Sequence, residues 1–307
     1  MARRRTAGRD ARGAVNQEER QGSAAPEMPH GSKSVNCIAT NGHAYYGITP
    51  RVEAAWKETL VRIGREAGVA FDFLPYPLPR PQEELWSCSD PGCVFMTCGY
   101  PIAMRHFAVT PIAAPKPSAP WAQGRALYRS NLIVKAKSRF QTLPDTFGGR
   151  LGWTTNHSHS AFNALRHHLL QYRTPGRPTL YSRVVGDLGS VRRLFDAVCD
   201  GAIDVGCIDA YWHLLLERHQ PELAACVRVI ESTATAPIPA FAASPAVARE
   251  IVDRLAASFA AAQHQTWFHC LADSIVIDGF TASVLDDFNI IRAREQEAIR
   301  AGYPLPA

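Results

Sequence analysis

The stretch Gly149-Arg150-Leu151-Gly152-Trp153-Thr154-Thr155-Asn156-His157-Ser158-His159-Ser160-Ala161-Phe162-Asn163-Ala164-Leu165-Arg166 decides how this chain is read. Arg150 to Trp153 is a short strand after a Gly148-Gly149 turn, and Ser160 to Tyr172 has helical spacing. Between them lies a small loop rich in hydroxyls. The first N–H groups of a helix have no acceptor inside it, so a helix opening on Ser158 and Ser160 is a ready anion site. Taken alone, the same string also reads as plain N-capping by one of the serines.

Working outward, strand-like and helix-like runs alternate on both sides of this segment. Upstream, strands are expected at Val35–Thr40, Val69–Leu74, Cys93–Thr97, Ala108–Ala113 and Leu132–Ala136. A helix is expected from Pro50 to Ala67, with Thr49 as its N-cap, Val52, Trp56, Leu60 and Ile63 on one face, and Gly68 as its stop. A short helix is expected near Glu83 to Trp86, after a proline-dense loop, and an irregular loop at Pro115–Gly124. Downstream come strands at Leu180–Val185, Ile203–Ile208 and Cys226–Ile230, and helices at Ser190–Asp200, Ala210–Arg218, Pro245–Ala262 and Phe288–Ala301.

Alternation of this kind implies an α/β protein with open, helix-flanked sheets. Two such runs give two lobes, each an open mixed sheet: residues 34–128 plus 238–307, and residues 129–237, with the C-terminal helices returning to the first lobe. Ligands then bind at the carboxyl ends of the strands, where the lobes face each other. The residues that follow strands there are Tyr45-Tyr46, Thr97-Cys98-Gly99-Tyr100, Asn156–Ser160, Gly189-Ser190 and Asp209.

Composition narrows the function classes. The chain has 307 residues, 46% hydrophobic and 20% charged, and no apolar run of the ~20 residues that crosses a bilayer. The net charge is +5, of which +3 falls in residues 1–33. The remainder is too near neutral to argue for a nucleic-acid surface. Residues 1–33 are polar and Arg-rich and are expected to be a disordered tail. Their basic start resembles the first part of an export signal, but the apolar core that should follow it is missing.

Eight cysteines are scattered, several within apolar strands, a usage that suits a reducing compartment. Cys88, Cys93 and Cys98 are each separated by four residues, the loose limit for zinc pairs, which are usually tighter and accompanied by a second pair elsewhere, so no metal and no cofactor are expected.

Five strings in order carry a resemblance: Thr97-Cys98-Gly99-Tyr100-Pro101; Tyr128-Arg129-Ser130-Asn131-Leu132-Ile133-Val134; Ser158-His159-Ser160 before a helix; Gly189-Ser190 ahead of Val198–Asp209; and Ala236-Pro237-Ile238-Pro239. Together, over about residues 35–265, they resemble the phosphate/phosphite/phosphonate-binding proteins of ABC importers, which have the type II periplasmic-binding-protein fold. The resemblance implies a non-enzymatic receptor for a small anionic solute, partnered by an ABC permease, and export to the periplasm. It also implies a ligand set. Ser158 and Ser160 would hold the phosphonate oxygens, with His159 and Ser190 nearby, and Tyr46 would donate its phenol. Tyr100 or Tyr128 would donate from the first lobe or hinge, and Asp209 would accept from a ligand amine or hydroxyl.

Bland alternatives stand beside these: a half-buried ring for Tyr46, a helix N-cap for Asp209, and exposed loop positions for His157 and His159. Two departures from the family pattern are visible. Val191 stands where Gly-Ser-His is common, which removes a polar contact, and Ala161 stands where Ser-x-Ser-Gly is common, which narrows the anion pocket. Two other functions fit the same fold: an enzyme like those making thiamine pyrimidine precursors, or a cytosolic ligand sensor. No nucleophile–base–orienter spacing supports the first, and the tail is too short and polar to form the DNA-reading helices of a repressor.

Overall fold

The computed structural model describes residues 36–75 and 92–307, together with Glu84 and Ser87. The tail, most of the short helix near Glu83–Trp86, and Cys88 lie outside the described residues. The strands are β1 (Asn36–Thr40), β2 (Val69–Phe73), β3 (Cys93–Thr97), β4 (Thr110–Pro117), β5 (Leu127–Tyr128), β6 (Ser130–Lys135), β7 (Arg150–Gly152), β8 (Arg183–Val185), β9 (Val205–Asp209), β10 (Val227–Ser232), β11 (Ala236–Pro237), β12 (Ala240–Ala243) and β13 (Ile277–Ala282). The helices are α1 (Pro50–Ala67), α2 (Gly99–Ala103), α3 (Ala164–Leu169), α4 (Val191–Cys199), α5 (Ala210–His219), α6 (Pro221–Ala224), α7 (Arg249–Ala262), α8 (Thr266–Ile275) and α9 (Asn289–Arg300).

Local chemistry sets α1 as the sequence implies. Thr49 Oγ1 accepts the Val52 N–H at 3.2 Å, Pro50 needs no N–H partner at the first helical position, and Gly68 closes the helix at φ +66°. Val52, Trp56, Leu60 and Ile63 are buried against the sheet and helices behind them.

Six strands form the first sheet in the order β2-β1-β3-β12-β4-β13. β1 pairs in parallel with β2 and β3, whereas β12 and β13 run antiparallel to their neighbours. β4 is longer than the sequence suggests, continuing through Pro115 to Pro117 where a loop is expected. A proline cannot donate to a ladder, so it is tolerated where pairing is irregular. Pro111 lies opposite Ala242, beside a register shift, and Pro117 opposite Ile277, beside another. The second sheet, β10-β6-β9-β7-β8, is mixed as well.

The chain passes between the sheets twice through a two-stranded ribbon, in which Tyr128 pairs with Ala236 and Leu127 with Pro237. The C-terminal part divides its contacts. α7 and α8 return to α1 and the first sheet, but α9 lies against α2 on one side and α3 on the other. Tyr303 joins the apolar cluster of the second sheet, and Ala307 O accepts the Leu180 N–H at 2.9 Å. Of the C-terminal helices expected to return to the first lobe, α9 touches both: it lies against α2, and its Ile291 and Glu295 also bond to Asn163 and Arg166 of the second.

The helix after Trp153 is also composite. It opens as a π-helical turn over His159–Asn163, continues as α3, and ends as a 3₁₀ turn at Leu170–Tyr172. Wider turns of this kind recur at binding sites because they re-aim the first residues of a helix.

Candidate functional site

The carboxyl ends of β1, β3, β7 and β9 converge on one cavity of about 380 Å³. Its wall on the first lobe includes Asn41, Tyr45, Tyr46, Thr97 and Cys98. Its wall on the second includes Thr154, Thr155, His157, Ser158, Ser160, Ser190, Val191, Asp209 and Trp212.

Ser158 is the N-cap of the π turn. Its Oγ accepts the Ala161 N–H at 3.1 Å and lies 3.4 Å from Ser160 Oγ. The His159 N–H donates to Cys98 Sγ across the lobes at 3.2 Å. These bonds leave the Ser160 amide and the Ser160 hydroxyl at a helix start, where positive partial charge gathers. Thr97 adds a buried hydroxyl oxygen that has no partner among the described residues. Ser190 caps α4 by accepting the Arg193 N–H at 3.2 Å, and Gly189 reaches φ +77° to turn the chain into that cap.

Asp209 is both an N-cap and an interlobe contact. Oδ1 accepts the N–H groups of Tyr211 at 2.7 Å and Trp212 at 3.0 Å, and Oδ2 accepts the Tyr46 hydroxyl at 2.8 Å. Burial pushes the Asp209 carboxyl up to about 6, against the pull of these donors. Burial, with the Asp209 charge beside it, raises the Tyr46 phenol well above its ordinary value, so that it stays a donor. The lobes thus meet through Tyr46, whose ring also lies 4.6 Å from that of Tyr211.

Three residues singled out from the sequence do not line the cavity. Tyr100 turns behind it, donating to Glu295 Oε1 and accepting from Arg166 Nη2 at 3.2 Å. Arg166 and Glu295 are themselves buried and paired at 3.1 Å, so the Tyr100 phenol is committed to that ion pair. Tyr128 is buried at the ribbon beside the Cys98 thiol. His159 is neither an exposed loop residue nor a wall of the cavity. Its ring is buried against Tyr128, Nδ1 accepts from Asn163 Nδ2 at 3.2 Å, and burial lowers it to about 3. It is therefore neutral and carries no charge toward an anion. His157, by contrast, is exposed at the rim.

Sequence reasoning passed over Asn41, Thr154, Thr155 and Trp212. Asn41 directly follows the buried end of β1, Thr154 comes two residues after that of β7, and Trp212 is in the first turn of α5. None of the described residues lining the cavity is Lys or Arg. Among the described residues there is no group of three or more His, Cys, Asp or Glu placed to hold a metal, and no helix is long and apolar enough to cross a membrane.

Residues 93–288 match the sequence profile of a family described as ABC transporter, phosphonate, periplasmic substrate-binding protein. No curated protein matches the sequence. Among solved structures, the fold is similar to that of a binding protein component of an ABC phosphonate transporter from Pseudomonas aeruginosa, with TM-score 0.72 and 17% identity over 87% of this chain and 88% of that one. It is also similar to PhnD1 from Prochlorococcus marinus in complex with methylphosphonate, with TM-score 0.67 and 10% identity over 86% and 98%. A third, Rpa4515 of R. palustris with adipate, has TM-score 0.59 and 12% identity over 90% and 99%. At these identities the likeness concerns the fold, a type II periplasmic-binding-protein architecture.

Proposed function

This chain belongs to the family of periplasmic substrate-binding proteins of phosphonate ABC transporters, and from that premise we propose that it captures a small phosphonate-like oxyanion between its lobes and hands it to an ABC permease. The observation that carries the reading is the junction of Ser158, Ser160 and the Ser160 amide at the second lobe's wall of one cavity, facing Thr97 and Tyr46 on the first lobe's wall. The serine groups are neutral donors at a helix start. They stabilise an oxyanion through hydrogen bonds and the helix dipole, with no fixed cation.

The protein works by binding and closing, and no bond is made or broken. Asp209 keeps both oxygens engaged by protein donors, so its part is to latch Tyr46 and hold the start of α5. A ligand hydroxyl or protonated oxygen that reached Oδ2 would do so in competition with, or beside, the Tyr46 bond.

A thermal-shift screen over phosphate, phosphite, methylphosphonate and longer phosphonates, sulfate and sulfonates tests the proposal. A ligand at about 100 times its Kd stabilises by roughly 2.7 kcal/mol, which for a chain of this size raises Tm by roughly 5 °C or more. A screen in which none of the phosphorus oxyanions moves Tm overturns it.

A further inference from the structure

Two of the scattered cysteines stand side by side. Cys199 is the last residue of α4 and Cys226 is the residue before β10, 27 positions apart in the chain. Both are free thiols, and the Cys226 thiol is a hydrogen-bond partner of the Cys199 thiol.

Neither position is loosely held. The Cys226 N–H donates to Leu223 O at 3.0 Å, and its carbonyl accepts the Ala136 N–H at 2.9 Å. Cys199 ends a helix whose Leu194, Phe195 and Val198 are buried, and Val198 shares one apolar cluster with Val227. The thiols therefore meet because α4 packs against β10. Two thiols already in contact need little backbone movement to be bridged. Their access differs, since Cys226 is exposed and Cys199 is partly covered. Burial, and then the neighbouring Cys226, pushes the Cys199 thiol up to about 12.

We infer that Cys199 and Cys226 close to a disulfide that fastens the end of α4 to the start of β10 when the protein meets a disulfide oxidant. The exposed Cys226 thiolate attacks a sulfur of the oxidant, forms a mixed disulfide and releases one thiol. Cys199 gives up its proton, attacks Cys226 Sγ and expels the second thiol. Two protein thiols lose two electrons and two protons in becoming one disulfide, and the oxidant's disulfide gains them in becoming two thiols. The other end of α4 is capped by Ser190 and places Val191 in the cavity wall, so the bond braces a helix that carries part of that wall. Cysteine usage as a whole suits a reducing compartment, and this pair is placed as an oxidising one would use it. The inference goes beyond the proposed function and does not rest on it.

Protein purified in reductant and then held in glutathione disulfide tests this. Free thiols are alkylated, and digestion with trypsin and a protease that cuts before Asp separates Cys199 from Cys207 at Asp200 and Asp204. The peptides of Cys199 and Cys226 should be recovered joined, two hydrogens lighter than their sum. Cys199→Ser should instead trap glutathione on Cys226. The oxidised wild type should melt about 5 °C or more above the reduced protein, and Cys226→Ala, at an exposed position, should fold and lose that difference. Recovery of both cysteines singly alkylated, a glutathione left on Cys226 of the wild type, or a link from Cys226 to any other cysteine overturns the inference. Equal melting of the oxidised and reduced wild type overturns the brace. None of these readouts involves a solute, so the oxyanion reading stands or falls separately.

Discussion

Tyr46→Phe removes one hydroxyl and leaves the ring packed on Tyr211. The lost bond runs 2.8 Å from the phenol to Asp209 Oδ2, joining the lobes between two buried groups. At pH 7.5 the acceptor is an ionised carboxylate, since Asp209 titrates at about 6. A hydrogen bond to a charged acceptor contributes about 1.5–3 kcal/mol net, so the closed-to-open ratio should fall by roughly 10- to 150-fold. Ligand affinity falls by the same factor when the unliganded protein is mostly open, because the apparent Kd scales inversely with the closed fraction.

The same substitution should cost less in acid. At pH 5 most Asp209 is protonated, the bond joins two neutral groups, and its contribution of about 0.5–1.5 kcal/mol corresponds to roughly 2- to 13-fold. The sign for the wild type follows from the same carboxyl. It is raised to about 6 when buried and would return toward 3.8 in an open, hydrated cleft, so closure takes up a proton and is favoured as pH falls through that window. Calorimetric Kd values for Tyr46→Phe and wild type at both pH values, with small-angle scattering of the unliganded proteins, measure this. A penalty below twofold at pH 7.5, or one equal at both pH values, would refute the argument.

Other outcomes follow from the same geometry. Ser158→Ala with Ser160→Ala should weaken phosphonate binding by about 1.5–3 kcal/mol for each charged hydrogen bond lost, read by calorimetry. Ser158→Ala alone should also cost about 1 kcal/mol of stability, because its Oγ caps the π turn, whereas Ser160→Ala should not. His159, lowered to about 3 by burial, gives stability that is complete above its unfolded value of 6.5 and is lost as pH falls toward 3, about 2 kcal/mol by pH 5. His159→Gln should flatten that part of the urea-midpoint profile; an unchanged slope between pH 7 and 5 would count against a neutral buried imidazole. Gly99→Ala would place a Cβ 2.6 Å from Phe288 Cδ1 and 2.7 Å from Ile291 Cδ1, so a loss of about 1–3 kcal/mol in chemical denaturation is expected.

Much of the architecture was legible because it rests on local signals. Thr49-Pro50 and Gly68 mark the two ends of α1, and the strand–loop–helix at Gly149–Arg166 places the serines at a cavity wall. Ser190 and Asp209 stand out in the same way, since each caps a helix, the first after a turn and the second at the end of a buried strand. What escaped depends on partners far along the chain. Tyr100 follows a strand end, like Tyr46, but Arg166 and Glu295, 66 and 195 residues away, capture its hydroxyl. His159 shares the loop of Ser158 and Ser160, yet the π turn and the ring of Tyr128 bury it. β12 and β13 were missed as well. Short runs such as Ala240-Phe241-Ala242-Ala243 have no period of their own and become strands only where β3 and β4 offer edges.

The absence of Lys and Arg among the described residues of the cavity wall sets how binding should respond to ionic strength. Where cationic side chains hold an anion, added salt competes for both partners and affinity falls steeply. Here the counter-charge is the partial charge of amides and hydroxyls fixed beneath the protein surface, which mobile ions screen little. Sodium salts of weakly coordinating anions should therefore leave the titration curve nearly where it was. Any salt that does displace the solute should act by entering the pocket itself, in order of its anion's size and shape.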